Sequence, residues 1–168
     1  MKFIACIGSR DISPTVYSMA KQLGAYIVNQ GYCIKTGNAQ GFDQAVAEGG
    51  NSQDPSKVFL YLPWSSYERQ AIHPENKIFY ADNADWSLAS EHHPNWGKLS
   101  HGTIKLMLRN VGIVKDSNLV VAFLNHKKKG FGGTGHGWRV AESLSIPRID
   151  FSIISFAECM EEIKSRMN

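Results

Sequence analysis

The run at residues 2–7, short and almost continuously apolar, constrains this chain most. A strand buried on both faces has this pattern, as in a parallel sheet whose two sides are covered. The run stops at Gly8-Ser9-Arg10. Ser13-Pro14 then reads as a helix cap followed by proline in the first turn. Val16, Met19, Ala20, Leu23 and Ile27 continue at helical spacing, and Gly31 closes the helix. Residues 32–36 form a second strand, 42–48 a short helix closed by Gly49-Gly50, and 57–62 a third strand. This β-α-β-α-β order with short loops predicts a right-handed parallel α/β unit.

Residues 64–97 break the rhythm with Trp64, Trp86 and Trp96 among polar neighbours, and only a short helix at 85–92 is expected there. Ser100 reads as the cap of a helix through about Val114, with Ile104, Leu108 and Val111 on one face. Residues 119–124 form a fourth strand, 125–133 a basic glycine-rich loop, 134–144 a helix, 148–151 a short strand and 155–167 an amphipathic helix. The expectation is one Rossmann-like, doubly wound α/β domain over residues 2–167, with a mostly parallel sheet and a Trp-rich insertion at about 64–97. A length of 168 residues suits one core, and 43% hydrophobic with 20% charged residues argues against disorder. No apolar run reaches the roughly 18 residues of a membrane span, and the apolar start is too short for a signal peptide. Cys6, Cys33 and Cys159 are odd in number and form no C-x-x-C pair, which fits reduced thiols in the cytoplasm.

In an open parallel sheet, ligands bind beyond the carboxyl ends of the strands, so the loops there are informative. In Gly8-Ser9-Arg10, glycine admits a close approach, serine adds a hydroxyl, and arginine offers a planar fork to phosphate or carboxylate. A plain turn with a solvated arginine is the competing reading. In the second loop, Gly37 and Gly41 bracket Asn38, with Phe42 and Asp43 following. Asp43 is either a sugar-binding carboxylate or a helix cap. The third loop holds five glycines in the eight residues from Gly130 to Gly137, after the lysines 127–129. Gly132, Gly133, Thr134, Gly135 and His136 leave main-chain N–H groups to ring an anion, and Arg139 follows one turn into the helix. The lysine run itself reads as a solvated loop.

Other chemistry is weaker. His92, His93 and His101 lack a cysteine or paired carboxylate at ligand spacing, so no metal is expected, and no cofactor. Ser9 with His136 lacks the Gly-x-Ser-x-Gly elbow of a serine hydrolase. Arg109-Asn110 lies late in its helix, open to either surface pairing or ligand contact.

Taken in order, the three loops resemble the SLOG superfamily. They read Ile7-Gly8-Ser9-Arg10, Thr36-Gly37-x-x-x-Gly41-Phe42-Asp43-x-Ala45, and Gly132-Gly133-Thr134-Gly135-His136 with Arg139-Val140-Ala141-Glu142. That superfamily groups the Rossmann-like folds of DNA-processing protein A (DprA) and the LOG proteins. Its small single-domain members, often seen in phages and bacteria, are similar over residues 2–151 outside 64–97. The resemblance implies a nucleotide or nucleotide-derived ligand at the carboxyl edge of the sheet, and a homodimer or higher assembly through helix faces. LOG proteins are similar to phosphoribohydrolases and carry Pro-Gly-Gly-x-Gly-Thr-x-x-Glu. Against that pattern the glycines match, but the threonine becomes His136 and the acid becomes Arg139.

Three functions follow. The first is a binding module for a nucleotide or ADP-ribose-like signal, acting as sensor or sequestering protein, with a tryptophan or Phe42 on the base. The second is an N-glycosidase acting on nucleoside monophosphates, with Asp43 or Glu142 as the catalytic acid. The third is a DprA-like binder of single-stranded DNA. The lost acid favours the first over the second. A net charge of only +3 and the absence of a basic stripe count against the third.

Overall fold

The computed structural model describes residues 1–81 and 83–168, and of Ala84 the backbone alone. Six strands form one parallel sheet: β1 (Phe3–Gly8), β2 (Cys33–Thr36), β3 (Val58–Leu62), β4 (Lys77–Tyr80), β5 (Leu119–Phe123) and β6 (Arg148–Asp150), in spatial order β4-β3-β2-β1-β5-β6. The helices are α1 (Pro14–Asn29), α2 (Phe42–Asn51), α3 (Trp86–Glu91), α4 (His101–Val114), α5 (Gly132–Ser143) and α6 (Phe156–Met167).

Strand alternation divides the core between the two faces of the sheet. Ile4 and Cys6 of β1, with Leu119 and Val121 of β5, pack against Leu23 and Ile27 of α1, Val46 of α2 and Ile163 of α6. Ala5 and Ile7, with Val120 and Ala122, meet Leu108 and Val111 of α4 and Val140 of α5. Both faces of β1 and β5 are covered, which is why their sequences are apolar throughout. Each fully buried Leu or Ile contributes roughly 1.5–3 kcal/mol.

The serine caps form as their sequence implies. Ser13 Oγ accepts the N–H of Val16 at 3.2 Å and Ser100 Oγ that of Thr103 at 3.2 Å. Gly49-Gly50, in contrast, does not close α2, which runs on to Asn51. These glycines let two helices touch. A Cβ on Gly49 would stand 1.9 Å from the carbonyl oxygen of Lys21 in α1, and one on Gly24 would stand 2.0 Å from that of Val46 in α2.

The Trp-rich stretch adds β4 to the edge of the sheet, a strand its sequence does not announce. All four of its residues are exposed, and no helical segment longer than a single turn lies between β3 and β4. Phe79 anchors it by stacking on Tyr61 at 5.1 Å and Phe59 at 5.9 Å. The short helix expected nearby is α3. From β1 the chain winds outward through β2, β3 and β4, then crosses back to β5 and β6. The crevice where this winding reverses lies between the carboxyl ends of β1 and β5.

Candidate functional site

A cavity of about 260 Å³ occupies that crevice. Gly8, Ser9 and Arg10 form one wall, the α5 amino terminus at Gly132, Gly133 and Thr134 the second, and Met107, Arg109 and Asn110 of α4 the third. Asp43 and Ala39 close its floor, and Lys128 and Phe131 come from the basic loop.

The β1 and β2 loops are locked together by one side chain. Asp43 Oδ1 accepts the N–H of Gly8 at 3.0 Å, and Oδ2 accepts those of Gly37 at 3.2 Å and Ala39 at 3.4 Å. The Phe42 N–H donates to Ser9 O at 3.1 Å. Asp43 is 4% exposed, and burial pushes its carboxyl up to about 6 against the opposing pull of Arg109 and the three N–H donors. Both its oxygens serve the main chain, so it acts as a rivet between strand ends rather than as a cap on its own helix.

Arg109, 6% exposed, lines the cavity but is tied into its walls. Its Nη1 donates to the carbonyls of Gly37 and Tyr61, its Nε to Asn110 Oδ1 at 3.1 Å, and its guanidinium lies 5.5 Å from the centre of the Tyr67 ring. Arg10 lines the cavity too, and its Nη2 donates to Tyr67 Oη at 3.0 Å. Tyr67, Lys128, Met107 and Asn110 are the contributors that the glycine motifs do not announce. Lys128 sits within a run that reads as solvent-facing, and Tyr67 within the insertion. Arg109-Asn110 was open between pairing and ligand contact; both residues line the cavity.

The glycine loop reaches the cavity with one face of α5. Gly133 and Gly137 lie one turn apart and both line it. The loop turns into the helix through three consecutive residues with positive φ, Gly130, Phe131 and Gly132. No side chain caps α5, whose first residues therefore present main-chain N–H groups at the positive end of the helix dipole. Part of the glycine content is packing: a Cβ on Gly135 would stand 1.7 Å from Gly130 O, and one on Gly137 would stand 2.9 Å from Ile7 Cδ1.

Several expected site residues lie outside the cavity. The helix starts at Gly132, two residues before the expected 134, and Arg139 lies two residues past Gly137, about 200° around the helix. Its Nε donates to His92 O at 3.1 Å and its Nη1 to Gly130 O at 3.1 Å, so it braces the loop from behind. Glu142 accepts from Arg148 Nη2 at 2.8 Å on the surface. His136 is buried; its Nε2 lies 2.8 Å from Ala89 O, and burial pushes it down to about 4. Phe42 has no exposed surface, stacks on Phe123 and packs tilted against Phe151, so it is core and has no face for a base. Gly37, Asn38 and Gly41 shape the turn beneath the cavity without lining it; Gly41 has φ +89° and Asn38 donates to Glu68 O at 3.1 Å. Gly135 is behind the lining face for the packing reason above. The three cysteines are buried free thiols. Among the described residues, no three His, Cys, Asp or Glu side chains group as a metal site, and no helix is long and apolar enough to cross a membrane.

No protein-family profile matches the sequence, and no curated protein matches it. Solved structures do. The chain is similar to the molybdenum cofactor carrier protein of Chlamydomonas reinhardtii, with TM-score 0.67, 14% identity and 99% of each chain covered. It is similar to the molybdenum cofactor binding protein of Rippkaea orientalis, with TM-score 0.64, 17% identity and coverage of 99% of this chain and 98% of that one. DNA processing protein A of Helicobacter pylori, described for its binding of single-stranded DNA, matches at TM-score 0.63 and 17% identity over 98% of this chain and 73% of that one. At these identities the likeness concerns the fold alone: the chain has a Rossmann-like α/β architecture, shared with these structures.

Proposed function

We propose that the chain is a binding protein for a nucleotide or nucleotide-derived, ADP-ribose-like molecule, held in the crevice between β1 and β5. One observation carries this reading. The cavity joins an α5 amino terminus without a side-chain cap to Arg10 and Lys128, while its single carboxylate, Asp43, is occupied by three main-chain donors. Free N–H groups and cations on one side, with no free acid opposite, suit a phosphate. At about 260 Å³ the cavity is just below the usual range of roughly 300–1,000 Å³, room for a phosphorylated sugar with its base at the mouth. Binding without turnover accords with a fold shared with a cofactor carrier.

A second reading is an N-glycosidase. Glu142 lies outside the cavity, so this reading rests on Asp43, whose raised pKa of about 6 is the observation in its favour. Cleavage builds positive charge on the sugar, which an available carboxylate stabilises. Asp43 spends that capacity on the Gly8, Gly37 and Ala39 N–H groups, which favours binding over hydrolysis. A DprA-like hold on single-stranded DNA is a third reading, supported by the shared fold.

Mass spectrometry of small molecules released from denatured purified protein, with chromatography for free base after incubation with nucleoside monophosphates, separates these. A co-purifying nucleotide without base release supports binding. Rapid base release abolished by Asp43→Asn makes the enzyme the better reading.

A further inference from the structure

A second cavity of about 400 Å³ opens at the carboxyl ends of β3 and β4, and it shares no residue with the first. Trp64, from the turn after β3, and Tyr80, the last residue of β4, both line it. Lys105 and Leu108 of α4 complete its wall, and Ser65 and Asn83 add polar edges. Both rings are unusually open for their size, with Trp64 37% and Tyr80 54% exposed. Trp64 is braced from behind by Tyr67, edge to face at 5.4 Å, so its ring is held without being covered. Lys105 has no ion-pair or hydrogen-bond partner among the described residues.

We propose that this groove is a second binding site, for one nucleotide whose base stacks on Tyr80, beside Trp64, while its phosphate meets Lys105. Planar rings left open at one cavity lining suit a flat aromatic group, and every nucleobase offers a π face. Lys105, the one cation among the described lining residues, favours a ring that carries an anion over a neutral aromatic compound. The polar edges accept or donate hydrogen bonds at the rim of a base. The occupant is therefore a nucleobase with a phosphate attached, supplied either free or within a single strand. The groove stands on its own side chains and does not depend on the phosphate site at α5.

The experiment compares two probes, thymidine 5′-monophosphate by calorimetry and a fluorescently labelled twelve-nucleotide oligothymidylate by anisotropy. The full-length wild type is measured beside Tyr80→Ala, Lys105→Ala and Arg10→Ala. Tyr80 and Lys105 lie at the surface of the groove, and circular dichroism checks that their variants fold. Tyr80→Ala is expected to weaken at least one probe by about fivefold or more, the low end of what loss of one stacked base costs. Lys105→Ala is expected to weaken the same probe and to flatten its salt dependence. Loss confined to the oligonucleotide assigns the groove to a strand; loss for both probes assigns it to a free nucleotide as well. Wild-type affinity in both groove variants overturns the proposal, whether or not Arg10→Ala is impaired, as does a wild type that binds neither probe.

Discussion

The guanidinium of Arg109 fills the space that a side chain at position 37 would need: a Cβ on Gly37 would stand 2.4 Å from Nη1. That arginine also donates to the Gly37 carbonyl, so α4 is latched to the β2 turn across the floor of the crevice. Gly37→Ala should push the guanidinium off this carbonyl. Overpacking of this kind costs about 1–3 kcal/mol, read as a lower urea midpoint. An unchanged midpoint would mean that the latch is slack.

Glycines in the α1–α2 contact should be far less replaceable than the glycine that ends α1. Gly24→Ala and Gly49→Ala each force a Cβ against a carbonyl oxygen of the facing helix, at 2.0 and 1.9 Å. Gly31 has φ +87° and nothing within 4 Å, so Gly31→Ala carries the conformational cost alone, about 1–2 kcal/mol. Thermal unfolding should rank the Gly24 and Gly49 variants below the Gly31 variant. The reverse order would contradict the close helix contact.

That contact marks a limit of what the sequence conveys. Gly31 and the Gly49-Gly50 pair look alike as helix terminators, yet only the first ends a helix, because the difference lies in what packs opposite. The strands β1, β3 and β5 were legible because burial leaves an uninterrupted apolar signal, whereas β2, with Lys35 and Thr36 in it, was legible as the short stretch between two helical patterns. β4 was not, since its four residues are exposed and pair with only one neighbour. Within the site, Gly8, Ser9, Arg10 and the start of α5 were legible as strand-end loops. The side taken by Arg139 depended on a helix start displaced by two residues, which turns a side chain by about 200°. Tyr67 and Lys128 reach the site through tertiary placement that has no local pattern.

His136 and Asp43 should give stability opposite pH dependences over the same range. Burial holds His136 down to about 4, below its usual 6.5, so the folded state binds fewer protons than the unfolded one between those values. Its contribution is present above about 6.5 and is lost as pH falls toward 4. Asp43 is raised to about 6, so its contribution is greatest near pH 4 and is lost as pH rises through 6. In urea unfolding, the deficit of His136→Gln should shrink on acidification from pH 7 to 4.5, and that of Asp43→Asn should grow. Deficits that do not change with pH would contradict both assignments.

Arg139→Ala should affect the fold more than the ligand. Removing its guanidinium strips the donor from the part-buried His92 O and the exposed Gly130 O, a loss of about 1 kcal/mol for each hydrogen bond. Glu142→Gln should leave ligand affinity unchanged, because that side chain pairs with Arg148 away from the cavity. An Arg139→Ala variant that loses more affinity than Arg10→Ala would put that guanidinium on the ligand.

Calorimetric titration of the wild type and Arg10→Ala with nucleoside 5′-monophosphates and ADP-ribose reports on the proposed phosphate site itself. Arg10 lines the crevice, and its neutral partner Tyr67 leaves its charge available to an anion. The wild type is predicted to bind at least one of these compounds in the crevice, at a site that depends on Arg10. Loss of a charge-assisted hydrogen bond in Arg10→Ala should weaken that binding by about tenfold to a hundredfold. Absence of binding to any of these compounds, or equal affinity in the two proteins, would contradict a phosphate site between β1 and β5.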